Sequence, residues 1–445
     1  MAAETRTIAD YVAHARLDDL PEAVRHEGIR AFLNWMGCAL GGCRHEIVRT
    51  VERALGEFSG PADATVLGRQ RRYDMLLASW LNCISSSVFT FDDTHAEAIV
   101  HPTGPVASAA FALAERRGAS GADTLLAVCL GIEVECRLSK AISVPPARGS
   151  MAWSQTGVCG GVGAAVAAGK LLALTPEQMA FAIGIAAARA AGFRATHATM
   201  NLHVVHGNTS PSGLRAALLA KSGLTSSMVA IEGRYGFAEV FATMPDLAAL
   251  TNGLGRQFEL LANTYKPFPC GIVINPVIEA CLGLHKQVEG ADAVADVRLE
   301  VCQAALDLCD RKKPRTALDA QVSLHHWGAS ALLHGRAGLG EYAPEALSDP
   351  SVQALQDRMS AVLNEKLAID QAVVVVTLKG GRLLRKEIGH CIGSQANPMT
   401  DAQLERKFRD QAGTAVTAEQ VEQLAALCWR LGELRSVEEI ASTVR

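Results

Sequence analysis

Between Gly149 and Gly169 the chain carries no charged residue, and the run Gly160-Gly161-Val162-Gly163-Ala164-Ala165-Val166-Ala167-Ala168-Gly169 is apolar on nearly all sides of a helix. Such a helix offers no face to water, so it belongs in the middle of a bundle, with other helices around it. Ser150, Ser154, Gln155 and Thr156 open the stretch, and the part after them is glycine-rich and shorter than the roughly 20 apolar residues a bilayer requires. A phosphate-binding loop would need a strand before the glycines and a lysine-serine pair after them, and neither is present.

The composition agrees with close helix packing. Hydrophobic residues make up 49% of the chain and charged residues 20%, as in a globular protein, while aromatics make up only 5%. At 445 residues the chain is too long for one core, so two domains are expected. Helical signals dominate the first 260 residues. Pro21 and Glu22 start a helix that runs from Val24 to Leu40 and is expected to end at Gly41-Gly42. Further helices are predicted over 72–88, 105–117, 121–142, 160–172, 176–191 and 212–222, with Ser120 and Thr175 as N-caps. After Thr264 the pattern changes. The run Ala372–Leu378 (AVVVVTL) is a strand by its β-branched density. Lys379-Gly380-Gly381-Arg382 turns it into a second strand over 383–388, and 296–302 is a third candidate. Helices are predicted there over 275–284 and 322–334, and helical pattern returns from Thr400, with 417–431 its clearest element. The expected fold is mainly α: a large all-helical domain formed by both chain ends (1–263 and 400–445) plus a smaller inserted α+β lid domain (264–399).

A net charge of −4 gives no basic field for nucleic acid or an anionic membrane. The twelve cysteines are scattered, with no CxxC pair, and most sit in apolar helical stretches, which points to a reducing compartment. Met1–Leu20 mixes charge and polarity without an apolar block, so a cytoplasmic protein is expected.

Three segments carry chemistry. Asp92-Asp93-Thr94-His95-Ala96-Glu97-Ala98-Ile99-Val100-His101 sets three carboxylates, two imidazoles and a hydroxyl side by side. It reads as a metal site, as a helix-capping loop or as a metal-free acid/base pocket; with no second tight cluster of Asp, Glu and His, no metal is expected. The segment 197–208 holds His197, His203 and His206, and the last two share a helix face. Each alone is as readily a core histidine as a general base. Tyr265-Lys266-Pro267-Phe268-Pro269-Cys270 places a lysine on a stiff, extended turn, as a base, as a carboxylate grip or as a linker residue in solvent. Arg148 and Arg194 are candidate carboxylate clamps or surface arginines, and Ser154, Gln155 and Thr156 add donors.

Taken in order, these segments resemble the MmgE/PrpD family. The likeness runs from Thr7-Ile8-Ala9-Asp10-Tyr11 and Trp35–Gly42 through Phe91-Asp92-Asp93-Thr94 and His101-Pro102. It continues with Glu232-Gly233-Arg234-Tyr235-Gly236-Phe237 and Tyr265–Cys270 to Gly393-Ser394-Gln395-Ala396-Asn397-Pro398-Met399 and Lys407-Phe408. The resemblance implies a helical domain with a lid, a homodimer and cofactor-free chemistry at carbons flanked by carboxylates. Thr90, Ser154 and Leu202 stand where the dehydratase and decarboxylase members have an aspartate, a histidine and a lysine. On those departures the chain resembles the iminodisuccinate epimerase branch, and the resulting expectation is two-base inversion of a carbon α to a carboxylate. The alternative is a 2-methylcitrate dehydratase-like or cis-aconitate decarboxylase-like lyase. Lys266 and His101 are then the expected acid/base pair, converging on one cavity. Asp93, Thr94, Arg148, Ser154, Gln155, His203, His206 and Tyr265 are expected around a small polycarboxylate, with no cofactor.

Overall fold

The computed structural model describes residues 3–445. The fold is mainly α, with 58% of the described residues helical. Two compact units are present: one built from the chain up to Val88, Asp92–Asn263 and Thr400–Arg445, the other from Phe89–Phe91 and Thr264–Met399.

In the first unit the glycine-rich helix spans Gln155–Leu171, and every residue from Gln155 to Gly169 is buried. Helices Thr103–Arg117, Gly121–Ser143, Pro176–Ala187 and Met200–Lys221 pack around it. They approach to backbone contact: a Cβ on Gly213 would lie 2.4 Å from the Gly161 carbonyl oxygen, and one on Gly131 2.8 Å from that of Gly163. The chain's end returns to this unit through helix Asp401–Ala412. It lies against helix Glu22–Gly42, with a Cβ on Gly37 only 3.2 Å from the Phe408 Cα.

Several boundaries differ from the sequence reading, each for a packing reason. The Gly41-Gly42 pair does end its helix, which runs through Gly42, although Cys43 rather than a glycine is the C-cap. The glycines also serve contact, since a Cβ on Gly42 would sit 2.0 Å from the Ser85 carbonyl oxygen. Arg72 and Tyr73 pair with Ala64 and Thr65 in a small ribbon, and the helix begins at Met75 behind an Asp74 cap. The helix predicted from Ser212 starts twelve residues earlier, at Met200, and runs through Pro211. Its buried residues, from His203 and His206 to Ala220, gain more from packing than the proline costs.

The second unit holds a four-stranded sheet in the order Leu383–Ile388, Ala372–Leu378, Val294–Val301, Met359–Leu363. The first three strands are antiparallel neighbours and the last, which the sequence reading missed, runs parallel to Val294–Val301. Helices Asn275–Leu284 and Leu324–His334 share a core with the sheet, in which Val277, Trp327, Val297, Leu299, Val374 and Val376 are buried. All twelve cysteines in the chain are buried free thiols. Among the described residues no helix is long and apolar enough to cross a membrane.

Because the Ser85 carbonyl cannot retreat, Gly42→Ala is expected to cost on the order of 3 kcal/mol, at the upper end for overpacking. Urea denaturation measures it, and a loss below about 0.5 kcal/mol, the scale of an ordinary surface substitution, would contradict the close crossing.

Candidate active site

The Asp93–His101 loop is a folded device rather than a simple connection. The His101 Nδ1 lies 2.8 Å from the backbone oxygen of Asp93, an atom that can only accept, so the ring hydrogen sits on Nδ1. Nε2 is therefore the basic nitrogen of the neutral ring. The Thr94 hydroxyl lies 3.1 Å from the same Nδ1, and a carboxylate oxygen of Asp92 3.8 Å from it. The His101 N–H donates to the Thr156 hydroxyl at 3.0 Å, which ties the loop to the glycine-rich helix. Asp93 also reaches other elements with its carboxylate. One of its oxygens accepts from the Thr103 hydroxyl at 2.6 Å and from the Asn263 amide at 2.8 Å.

Behind His101 stands His206, with ring centroids 5.9 Å apart and planes tilted by 41°. The Ser154 hydroxyl lies 2.9 Å from the His206 Nε2 and also caps the glycine-rich helix, accepting from the Gly157 N–H. Burial, and then the nearby His101, push the His206 pKa well below the ordinary value, so it is a neutral imidazole at pH 7. One turn earlier, the His203 Nδ1 lies 3.2 Å from the Ser87 hydroxyl. Arg194 donates to the Gln155 side-chain oxygen at 2.8 Å and to the Trp153 carbonyl at 3.2 Å, which places a guanidinium at the start of the same helix.

The structure thus brings Asp93, Thr94, His101, Ser154, Gln155, His203 and His206 into one hydrogen-bonded region of the helical unit. Arg148 is not part of it. Its backbone pairs with Met244 in a two-stranded ribbon and its side chain is exposed. Thr103 and Asn263 were not given roles by the sequence, while Thr156 was read only as a donor and Asp92 only as part of the acidic cluster. Only the His-Pro-Thr order, which announces a helix start at Thr103, hinted at one of them.

Lys266 and Tyr265 belong to the second unit, and both are buried there. The Lys266 ammonium donates to the Thr90 carbonyl at 3.0 Å, and the Thr90 hydroxyl donates to the Gln321 side chain at 3.0 Å. Gly393, at φ +84°, approaches this turn so closely that a Cβ would lie 2.2 Å from the Tyr265 carbonyl oxygen. Burial raises the Cys270 and Cys309 thiols, that of Cys309 to about 12, while the Lys266 charge pulls both down. Among the described residues no three His, Cys, Asp or Glu side chains are placed to hold a metal ion.

The MmgE/PrpD N-terminal domain pattern matches residues 6–250 and the C-terminal one residues 268–431. The chain belongs to the MmgE/PrpD family. It is 24% identical over 469 residues to the cis-aconitate decarboxylase-like protein oryM of Aspergillus oryzae, covering 99% of this chain and 97% of that one. It is 25% identical over 465 residues to the cis-aconitate decarboxylase of Aspergillus terreus, covering 98% and 94%. A shorter match, 25% over 141 residues and 28% of the chain, is to the mitochondrial 2-methylcitrate dehydratase of Yarrowia lipolytica, of which it covers 27%. These relatives favour the lyase alternative over the epimerase expected from the sequence.

A depressed histidine pKa makes stability rise with pH: the contribution is complete above the unfolded value of 6.5 and is lost as the pH falls toward the folded value. His206→Gln is therefore expected to flatten the loss of stability below pH 6.5, measured by urea denaturation at pH 7.5 and 5.5. An unchanged slope would show that His206 is charged in the folded protein.

Proposed function

We propose that this MmgE/PrpD chain is a lyase that acts on a small tricarboxylic acid of the cis-aconitate or 2-methylcitrate kind. His101 moves a proton to or from a carbon beside a carboxylate. The carrying observation is the fixed tautomer of His101, with Nδ1–H on the Asp93 carbonyl and Nε2 as the base. The end-to-end likeness to decarboxylases supports the substrate class. In a dehydration the neutral imidazole takes the α proton as the hydroxyl leaves with the C–O electron pair. In a decarboxylation the C–CO2 bond breaks, its electrons remain on the carbon skeleton, and an imidazolium returns a proton there. Asp92 beside Nδ1 offsets the imidazolium charge in both cases. Arg194 and the Thr94 and Ser154 hydroxyls supply donors for substrate carboxylates. Lys266 is proposed as a second acid/base group, since an ammonium buried to 1% exposure costs free energy that a functional site can justify.

A second reading, inversion of an iminodisuccinate-type carbon, is favoured by one observation. Ser154 and Thr90 stand where the lyase members carry a histidine and an aspartate, and their hydroxyls are bound to His206 and Gln321. We also propose a homodimer. Met151, Phe193, Tyr235, Val240 and Met244 are each at least 46% exposed, and Trp153 stacks on Phe193 and meets Phe241 edge-on. Together they present apolar surface on the order of several hundred Å2, more than isolated surface residues would.

Incubation in deuterated water with cis-aconitate, 2-methylcitrate and one iminodisuccinate stereoisomer, followed by NMR, separates the readings. Release of CO2 or water supports the lyase; inversion with deuterium at the α carbon and neither release supports the epimerase. His101→Ala is expected to lower kcat/KM by about 10²–10⁴ and Lys266→Ala by a similar factor. If both variants keep nearly normal turnover, the assignment of the pair is wrong.

A further inference from the structure

His101 closes a loop that cannot hold its own shape. Ile99 adopts φ +56°, a left-handed conformation that costs a β-branched residue on the order of 1–3 kcal/mol. Within the loop, the backbone ties across the turn are those between His95 and Val100, at 2.9 and 3.4 Å. Further restraint comes from outside it. The Ser139 hydroxyl donates to the Ala98 carbonyl at 2.6 Å.

The larger restraint is an ion cluster under the loop. His95 is fully buried, and its Nδ1 accepts from the Ala98 N–H at 3.1 Å, so its hydrogen is on Nε2. Nε2 donates to a Glu259 oxygen at 3.1 Å. The Lys140 ammonium donates to both Glu259 oxygens, at 3.0 and 3.2 Å, and lies 3.1 Å from a Glu97 oxygen. Burial would raise the Glu259 pKa, but the hydrogen bonds from His95 and Lys140 outweigh it and hold it at about 2. Glu259 is itself anchored. The next residue's N–H donates to Glu133, and Arg137 on the same helix as Lys140 binds the carbonyls of Ala249, Asn252 and Gln257. One carboxylate and one ammonium, supplied by two other segments, therefore grip the loop at both His95 and Glu97.

We infer that His95, Glu259 and Lys140 are positioning residues for His101, holding the strained 95–100 turn so that the His101 ring keeps its place against the Asp93 carbonyl. The inference rests on the proposed role of His101. None of the three meets the substrate, and their effect passes through the backbone of the loop.

Hydrogen–deuterium exchange on the full-length protein tests this without any substrate. In Glu259→Gln the amides of residues 95–101 are expected to exchange about tenfold faster or more, with the rest of the helical unit nearly unchanged. With a substrate that the wild type turns over, kcat is expected to fall by about 10–100-fold at nearly constant KM, and Lys140→Arg to stay within about threefold of wild type. Unchanged exchange over 95–101, or acceleration throughout the unit, would overturn the inference. If Glu259→Gln does not fold, Glu97→Gln removes the outer contact from a side chain that is 55% exposed. It should give a smaller acceleration in the same segment, and its absence would also overturn the inference. Should the wild type turn over nothing in the substrate panel, the proposed function fails while the exchange result still decides the loop.

Discussion

The Gln155–Leu171 helix meets its neighbours largely through backbone and small side chains, and this contact organises the helical unit. Gly161 and Gly163 present bare carbonyls to Gly213 and Gly131, so two further helices approach to distances that any side chain would forbid. Dispersion over such close surfaces replaces the large aromatic contacts that a chain with 5% aromatics cannot supply. The same helix begins at Ser154 and carries Thr156 in its first turn, while His206 lies on one of the helices packed against it. The position of the histidine cluster is thus a consequence of how tightly glycine lets three helices cross.

Burial then sets the chemistry of those groups. A charged His206 would be stranded away from water, and its neighbour His101 would repel it, so it stays neutral and bonds to a hydroxyl. His101 differs because Asp92 lies beside it and its Nδ1 proton is committed to a carbonyl. Two neighbouring imidazoles are thereby held differently by their surroundings, one with its Nδ1 proton on a carbonyl and one as a buried neutral ring bonded to a hydroxyl.

Much of this was legible in the sequence where a local rule governs. Ser120 and Thr175 cap helices as their side chains require, and the AVVVVTL run forms a strand with the hairpin partner expected for it. The loop from Asp93 to His101 was recognisable because few structural loops need so many titratable groups. What escaped the sequence is long-range. Gly42 ends its helix as the local pattern says, but its contact with Ser85, 43 positions along the chain, has no local sign. Pro211 looked like a helix breaker, and burial of the residues around it overrode that preference. Glu259 and Lys140 gave no local sign of reaching His95, because their spacing along the chain has no periodicity to read. Arg148 and Arg194 are equivalent in composition, and only the ribbon partner at Met244 and the Gln155 amide separate them.

The arrangement of the two imidazoles also bears on which reaction the pocket suits. Two bases that invert a carbon must face each other across it, each roughly 3–3.5 Å away, which would put the ring centres farther apart than 5.9 Å. His101 and His206 are too close for that, so the two of them cannot be the pair of bases that an inversion needs. One acid/base group is in principle sufficient for a lyase, in which a single proton moves. It is insufficient for inversion, which needs a second group on the opposite face, from outside the histidine cluster. An inversion through His101 would therefore have to draw its second base from a group other than His206.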